Sequence, residues 1–244
     1  MQQHPYTIPA VIIALGFIIS TVIGGFTWTT VRGFDNALTV TGSAKKQVRA
    51  DNVKWSLSIE QTVLGKDQVQ KGYARLAEDY AAVRTMLLGA GVKEEEITSS
   101  AAFIGENGYY DPNRYPGAPT QYRVSQTITV QSSDVDKVTA LAKNLGSLLN
   151  QGVFVNTVSL EYYYTKLPDL RVELLGAALN DAKARAGEIA KAGGSNVGAL
   201  RSASSGVVQV LGVNSGDVSD YGSYDTSNIE KEVSVTVRAS FILR

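Results

Sequence analysis

The stretch "VKWSLSIEQTV" (Val53–Val63) alternates apolar and polar residues and decides the fold of the region around it. Its apolar positions are Val53, Trp55, Leu57 and Ile59. This period of two predicts a β-strand with one buried and one solvated face. Further along, the apolar period changes to three or four residues, which predicts a helix ending at "GAGV" (Gly89–Val92). The inward positions expected of that helix are Val69, Tyr73, Leu76, Tyr80, Val83 and Leu87.

The following segments predict a hairpin, a second helix and a strand. "ITSSAAFIG" (Ile97–Gly105) and "YRVSQTITV" (Tyr122–Val130) read as hairpin arms joined by a loop rich in Gly, Pro and Tyr. Ser133 is the expected N-cap of the second helix, and "VSLEYYYTKL" (Val158–Leu167) is the next strand. The order β-α-β-β-α-β over residues 53–167 predicts a ferredoxin-like sandwich.

The C-terminal third predicts a third helix and two more strands. The helix begins at Pro168 and repeats alanine every fourth residue, at Ala178, Ala182, Ala186 and Ala190. "GVVQVLGV" (Gly206–Val213) and "KEVSVTVRASFIL" (Lys231–Leu243) are the strands, and "LTVTGSA" (Leu38–Ala44) is a short strand before Val53. We therefore expect an α+β fold whose antiparallel or mixed sheet carries helices on one face, with the ferredoxin-like core extended by α-β-β.

An uncharged run, "IPAVIIALGFIISTVIGGFTW" (Ile8–Trp28), precedes this domain. As a helix its 21 residues span about 31 Å, close to the thickness of a bilayer's hydrocarbon core. No Lys or Arg precedes the run, which favours a retained single-pass anchor over the alternative of a cleaved signal peptide. Gly16, Ser20 and Gly24 stand four residues apart and are candidates for transmembrane packing. The predicted organisation is an anchor at 1–32, a linker at 33–37 and one domain at 38–244, with a subdomain break near 166–169 as an alternative.

Composition excludes several classes of function. Lys and Arg number 23, against 23 Asp and Glu, so the formal net charge of zero gives no electrostatic reason to expect nucleic acid. The chain has no cysteine and its one histidine is His4, which removes the commonest nucleophilic, metal-binding and general-base side chains. We expect no catalytic residue, no metal, no cofactor and no enzymatic activity.

Two acidic segments have structural interpretations that outweigh catalytic or metal-binding ones. "EEE" (Glu94–Glu96) is expected to be a solvated turn, because three successive carboxylates point in different directions. Asp217, Asp220 and Asp225 offer oxygen ligands for Ca²⁺, but their spacing is not that of an EF-hand loop. An ordinary acidic hairpin tip is the better prediction.

Tyrosine is concentrated in two loops that connect predicted hairpins. Because tyrosine offers a large contact area with a polar tip at low entropic cost, these residues are candidate oligomer or partner contacts. Flexible decoration and ligand binding remain alternatives. The candidates are Tyr109, Tyr110 and Tyr115 in the first loop, and Tyr221 and Tyr224 in the second.

The order of these motifs resembles the SIMPL-domain family (DUF541), exported bacterial proteins that include periplasmic immunogenic and oxidative-stress-defence members. The matching segments are "LTVTGSA" (Leu38–Ala44), "GAGVKEEEITS" (Gly89–Ser99), "QYRVSQTITV" (Gln121–Val130) and "ALNDAKARAGEIAKAGGSNVGAL" (Ala178–Leu200). One departure is Ala50 before Asp51, where the family usually has proline. The resemblance implies an α+β domain on the periplasmic side of the bacterial inner membrane or free in the periplasm, and a tendency to form homo-oligomeric rings. It supplies no catalytic residues.

The apolar run, the family resemblance and the tyrosine-rich loops together favour a non-enzymatic envelope protein. Residues 8–28 would hold it in the bilayer, and its domain would form a ring-like homo-oligomer. The alternative is an envelope module that binds a glycan, a peptide or a small molecule in stress defence. Charge does not settle the topology of the anchor, because long domains cross membranes largely regardless of the Lys and Arg that follow it.

Overall fold

The computed structural model describes residues 7–33, 36–106, 119–216 and 221–244, with side chains in the first helix described for 11–28. The helices are α1 (Thr7–Gly33), α2 (Val69–Gly89), α3 (Val135–Lys143), α4 (Gly146–Asn150) and α5 (Leu167–Ala192). The strands are β1 (Ala37–Arg49), β2 (Asn52–Leu64), β3 (Ile97–Ser99), β4 (Phe103–Glu106), β5 (Gln121–Ser132), β6 (Val155–Tyr163), β7 (Val197–Gly212), β8 (Ser223–Tyr224) and β9 (Glu230–Leu243). The predicted α+β class is confirmed.

The chain divides into two compact units, and each is described by itself. Unit 1 contains residues 1–45, 171–208 and 234–244, whereas unit 2 contains 46–170 and 209–233. The long strands β1, β7 and β9 each contribute residues to both units. Together with β8 they form one sheet in the order β1-β9-β7-β8, so the terminal strands build a second sheet instead of extending the first.

Unit 2 contains the predicted ferredoxin-like arrangement. Its sheet has the order β3-β5-β2-β6, with β4 also paired to β5, and all four of these strand pairs are antiparallel. The opening stretch is the central strand β2, in which Trp55 lies between Val130 of β5 and Leu160 of β6. Its four predicted inward residues have no exposed surface, which confirms the interpretation of the period-two pattern. Full burial of such side chains is worth roughly 1.5–3 kcal/mol each.

Helix α2 packs against this sheet through a stripe that differs slightly from the predicted one. Leu76, Val83 and Leu87 are buried as expected, but Tyr73 is 53% exposed. Gly72 takes the inward position because a β-carbon there would already touch Val63 at 3.0 Å. The helix ends as predicted, with Gly91 at a φ of 83°, a left-handed conformation that glycine adopts without strain.

The second predicted helix is two short helices. Its N-cap is Asp134 instead of Ser133, because the Asp134 carboxylate accepts a hydrogen bond from the Lys137 backbone N–H at 3.1 Å. Helix α3 ends at Lys143, and α4 begins after the break at Leu145. Val138 and Leu148, one from each helix, are fully buried in the core of unit 2.

Unit 1 places α5 on the sheet at very close range. Ala178, Ala182 and Ala186 are fully buried against residues of β1 and β9, so the alanine repeat lies on the inward face of the helix. Gly42 of β1 lies beneath this stripe, and a β-carbon on it would come within 2.8 Å of the Ala182 Cα and closer still to the Ala178 carbonyl oxygen. Small residues on both elements therefore permit the approach.

Candidate functional site

Among the predicted contact residues, Tyr221 and Tyr224 are described, whereas Tyr109, Tyr110 and Tyr115 lie outside the described residues. Tyr221 is 96% exposed and Tyr224 is 38% exposed. Both belong to unit 2, in the segment Tyr221–Asn228 that we call the tyrosine loop. Asp217 and Asp220 also lie outside the described residues.

A buried lysine holds the base of the tyrosine loop. Lys231, at the start of β9, has no exposed surface, and its ammonium donates a hydrogen bond to the Asp225 carbonyl oxygen at 2.5 Å. The same ammonium lies 5.6 Å from the centroid of the Tyr224 ring, within the range of a cation–π contact. Burial lowers the pKa of Lys231, while the nearby Asp225 carboxylate opposes that change. A buried cation requires such partners, so the contacts of Lys231 fix the loop's backbone.

The Asp225 side chain closes the loop from within. One carboxylate oxygen accepts hydrogen bonds from the backbone N–H and the hydroxyl of Ser227, at 2.7 and 2.6 Å. The other accepts from the Asn228 amide at 2.6 Å. The Ser227 hydroxyl, the Asn228 amide and the Ser227 N–H, helped by Lys231, lower the pKa of Asp225 to about 2. Any cation bound here would have to displace these donors, and the described part of the chain contains no cluster of three metal-binding side chains.

Tyr224 joins the loop to β6 of the same unit. Its hydroxyl accepts a hydrogen bond from the Tyr164 backbone N–H at 2.8 Å, and its ring centroid lies 6.0 Å from that of Tyr163. The Thr226 carbonyl accepts a further bond from the Tyr162 N–H at 2.8 Å. Burial, together with the hydrogen bond to Glu161, raises the pKa of Tyr163. These contacts leave Tyr221 projecting into solvent from a loop whose base is held at several points.

The acidic turn Glu94–Glu96 is a single turn of 3₁₀ helix whose carboxylates are held by neighbouring side chains and backbone. Glu94 pairs with Arg84 at 2.6 Å, whereas Glu96 accepts hydrogen bonds from the Ser132 hydroxyl and the Lys93 N–H. Burial raises the pKa of Glu96, but these hydrogen bonds outweigh it and the net pKa is lowered. Lys93 contacts two of the carboxylates, Glu95 through its ammonium at 3.7 Å and Glu96 through its backbone N–H at 2.9 Å, so the turn caps local structure.

A cleft of 530 Å³ lies in unit 2 beside the tyrosine loop. Its polar lining comes from α3, the loop and β9, and its apolar lining includes Leu160 and Ile229. Lys143 and Glu230 bring one charge of each sign. The polar residues of the lining are Thr139, Lys143, Ser227, Asn228 and Glu230.

The apolar helix α1 has no buried residue in its core segment Val11–Trp28, whose mean hydropathy is 2.1. Its length and composition suffice to cross a membrane, a test that a signal sequence also passes. The predicted packing residues Gly16 and Gly24 have no other atom within 4 Å of a β-carbon position, and Ser20 is exposed. That face of the helix is therefore open to a lipid chain or to another helix.

Sequence reasoning missed Lys231, the residue on which the loop depends. The signal was present, because the alternation of β9 buries Val233, Val235 and Val237. One further step of two residues toward the N-terminus places Lys231 on the same buried face.

The fold and these features define an α+β protein with a ferredoxin-like unit, a second unit built on an alanine-rich helix, and an apolar N-terminal helix. Residues 38–241 match the SIMPL family, described as a protein of unknown function (DUF541). The chain belongs to the SIMPL family, as the resemblance of its motifs predicts. No curated protein matches it.

Proposed function

We propose that this protein is a non-enzymatic, single-pass envelope protein whose SIMPL domain forms a ring-like homo-oligomer on the periplasmic side of the inner membrane. The observation that carries the proposal is Tyr221, almost fully exposed on a loop that Lys231 and Asp225 hold in place. A large aromatic side chain on a preorganised base loses little entropy when it is buried at an interface.

The apolar helix supports the membrane part of this proposal. A retained anchor confines the domains to one plane and raises their local concentration, which favours association without new contacts. Membership of the family supports the periplasmic side, because the resemblance implies exported domains. A single cysteine at exposed Lys183 tests this topology, since the chain has no other cysteine. We expect a membrane-impermeant maleimide to label Lys183→Cys in cells with a permeabilised outer membrane. Labelling only after lysis of the cells would contradict the periplasmic location.

Assembly is tested by light scattering after size-exclusion chromatography of the detergent-extracted full chain at micromolar concentration. We expect a multimer for the wild type, a lower mass for Tyr221→Ser, and the wild-type mass for Tyr221→Phe, which keeps the ring. A monomeric wild type overturns the proposal. A multimer that Tyr221→Ser leaves unchanged removes the tyrosine loop from the interface.

The second candidate is an envelope ligand-binding module, and the cleft of 530 Å³ is the observation that favours it. Opposite charges at Lys143 and Glu230 would suit a zwitterionic ligand such as a short peptide. Isothermal titration with trialanine and with chitotriose as probes tests this candidate. Saturable binding that Lys143→Ala weakens tenfold supports it, and the absence of heat with both probes speaks against these ligand classes.

A further inference from the structure

One side of β7 is an open strand edge. In the sheet order β1-β9-β7-β8, the short strand β8 meets β7 only at Gln209 and Val210. From Val197 to Val208 no described strand pairs with the side of β7 that faces away from β9, and we call this side the β7 edge. Alternate residues of a strand direct their N–H and C=O groups to such an edge, where another strand can form hydrogen bonds with them.

The side chains along the β7 edge are also uncovered. Residues 199–205 are exposed without interruption, so neither face of this part of the strand is buried. The apolar cluster beneath α5 contains buried residues from β1, β9 and α5, and from β7 only Val197 packs against it among the described residues. Leu200 remains 45% exposed and Val207 38% exposed. A neighbouring strand would therefore cover apolar surface as well as satisfy the backbone.

On the opposite edge of the same unit, a side chain occupies a strand N–H. On β1 the backbone N–H of Ser43 donates to the Asp181 carboxylate of α5 at 2.8 Å. Proline and lysine, which commonly block strand edges, are both absent from Val197–Val208. Of the two edges, the β7 edge is therefore the better candidate for pairing with a further strand.

We propose that the β7 edge pairs antiparallel with the β7 edge of a second copy of this chain, around a two-fold axis at Ala203; this inference rests on the proposed homo-oligomer. A two-fold axis perpendicular to a continuous sheet leaves each face of the sheet on the same side in both copies. Residues that lie opposite each other across the axis therefore point to the same face. With Ala203 on the axis, Arg201 faces Ser205 of the second copy, and no like charges lie opposite each other.

This register also matches large side chains with small ones. Leu200 faces Gly206 of the second copy, and Val207 faces Ala199. Gly206 has no side chain of its own, and the Thr236 hydroxyl of β9 lies where its β-carbon would be. The glycine therefore presents no large side chain opposite Leu200. The sequence of the edge is thus complementary to itself, which favours a second copy over an unrelated peptide.

Cross-linking in the full chain tests the axis directly. Directly opposite residues in antiparallel strands have Cα atoms about 4.5 or 5.5 Å apart, and both distances suit a disulfide. Ala203→Cys is expected to give a covalent dimer on mild oxidation in detergent, whereas Lys183→Cys on the exposed surface of α5 is not.

Charge variants give an independent test. Ala203→Lys and Ala203→Glu place like charges on the axis and are expected to raise the concentration at half-assembly roughly tenfold. A mixture of the two variants is expected to restore assembly, and Ala203→Thr is the control that keeps a good strand former. Circular dichroism of each variant verifies folding.

The outcomes separate this inference from the proposed function. A multimeric wild type without the Ala203→Cys cross-link overturns the pairing and leaves the oligomer standing. If the mixture of Ala203→Lys and Ala203→Glu does not assemble, the pairing is also overturned. That result indicates that the edge pairs with a different strand, such as an extended peptide. A monomeric wild type overturns both proposals.

Discussion

Replacing Gly42 tests the closest contact in unit 1. In Gly42→Ala the new β-carbon would lie 2.8 Å from the Ala182 Cα and nearer still to the Ala178 carbonyl oxygen. Comfortable carbon–carbon separations are about 3.5–4.0 Å, so helix α5 must retreat by about 1 Å. The obstructing atoms belong to the helix backbone and cannot rotate away. We therefore assign the upper part of the usual overpacking cost, about 3 kcal/mol.

Hydrogen exchange of α5 amides in the detergent-solubilised full chain measures this cost. A loss of about 3 kcal/mol corresponds to roughly a hundredfold faster exchange through opening of the helix. Gly176→Ala is the matched control, because it lies in α5 with no other atom within 4 Å of its β-carbon position. Alanine in place of glycine stabilises an exposed helix by about 0.5–1 kcal/mol, so its exchange should slow a few-fold. Exchange in Gly42→Ala within threefold of the wild type would refute the packing argument.

Three further perturbations address the tyrosine loop and the anchor. Asp225 has a pKa lowered from 3.8 to about 2, so the stability it contributes is present above about pH 4 and is lost as the pH falls toward 2. The difference in unfolding free energy between wild type and Asp225→Asn, at most about 2 kcal/mol, should shrink over that window in urea titrations, and a constant difference would contradict the role of the carboxylate. Lys231→Met keeps the apolar stem but removes the donor to the Asp225 carbonyl, so exchange of the Tyr221–Asn228 amides should rise about tenfold; unaltered protection would show that the ammonium does not hold the loop. Gly16→Ile combined with Gly24→Ile should lower the oligomer mass in detergent and leave the circular dichroism of the outer domain unchanged, whereas an unaltered mass would assign that helix face to lipid.

The central sheet of unit 2 could be predicted because its strands have one buried and one solvated face. Trp55 and Leu57 follow the period of two, and the helix that follows β2 follows a period near 3.6. The spacing of three and four residues also predicts that Tyr73 faces inward, but Tyr73 is exposed and Gly72 faces the sheet, where a β-carbon would lie only 3.0 Å from Val63. Periodicity thus located the elements and missed one detail of packing.

Strand β7 shows why the second sheet was harder to predict. The structure extends it to Val197, nine residues before the predicted start at Gly206. Residues 199–205 are exposed on both faces, so they carry no apolar alternation from which a strand could be recognised. Their pairing with β9 depends on backbone hydrogen bonds, which the side-chain pattern does not encode.

The sequence pointed to the tyrosines of the candidate site, but not to how the residues of that site contact one another. The concentration of tyrosine pointed to the loop, but Tyr221 and Tyr224 have different surroundings: the first is exposed, and the second bonds to β6. That difference depends on Lys231, whose burial follows from its place in β9 and whose partners come from the loop. Contacts of this kind depend on tertiary structure, which a single sequence does not specify locally.

Mass photometry of the full chain, extracted in detergent with residues 8–28 intact, tests the proposal of an anchored homo-oligomer most directly. The measurement reports whether the anchor is retained and how many copies associate. We expect one dominant species whose mass is a fixed multiple of the uncleaved chain. A single population at the mass of one chain at micromolar concentration, or one shortened by removal of the apolar helix, would contradict the proposal.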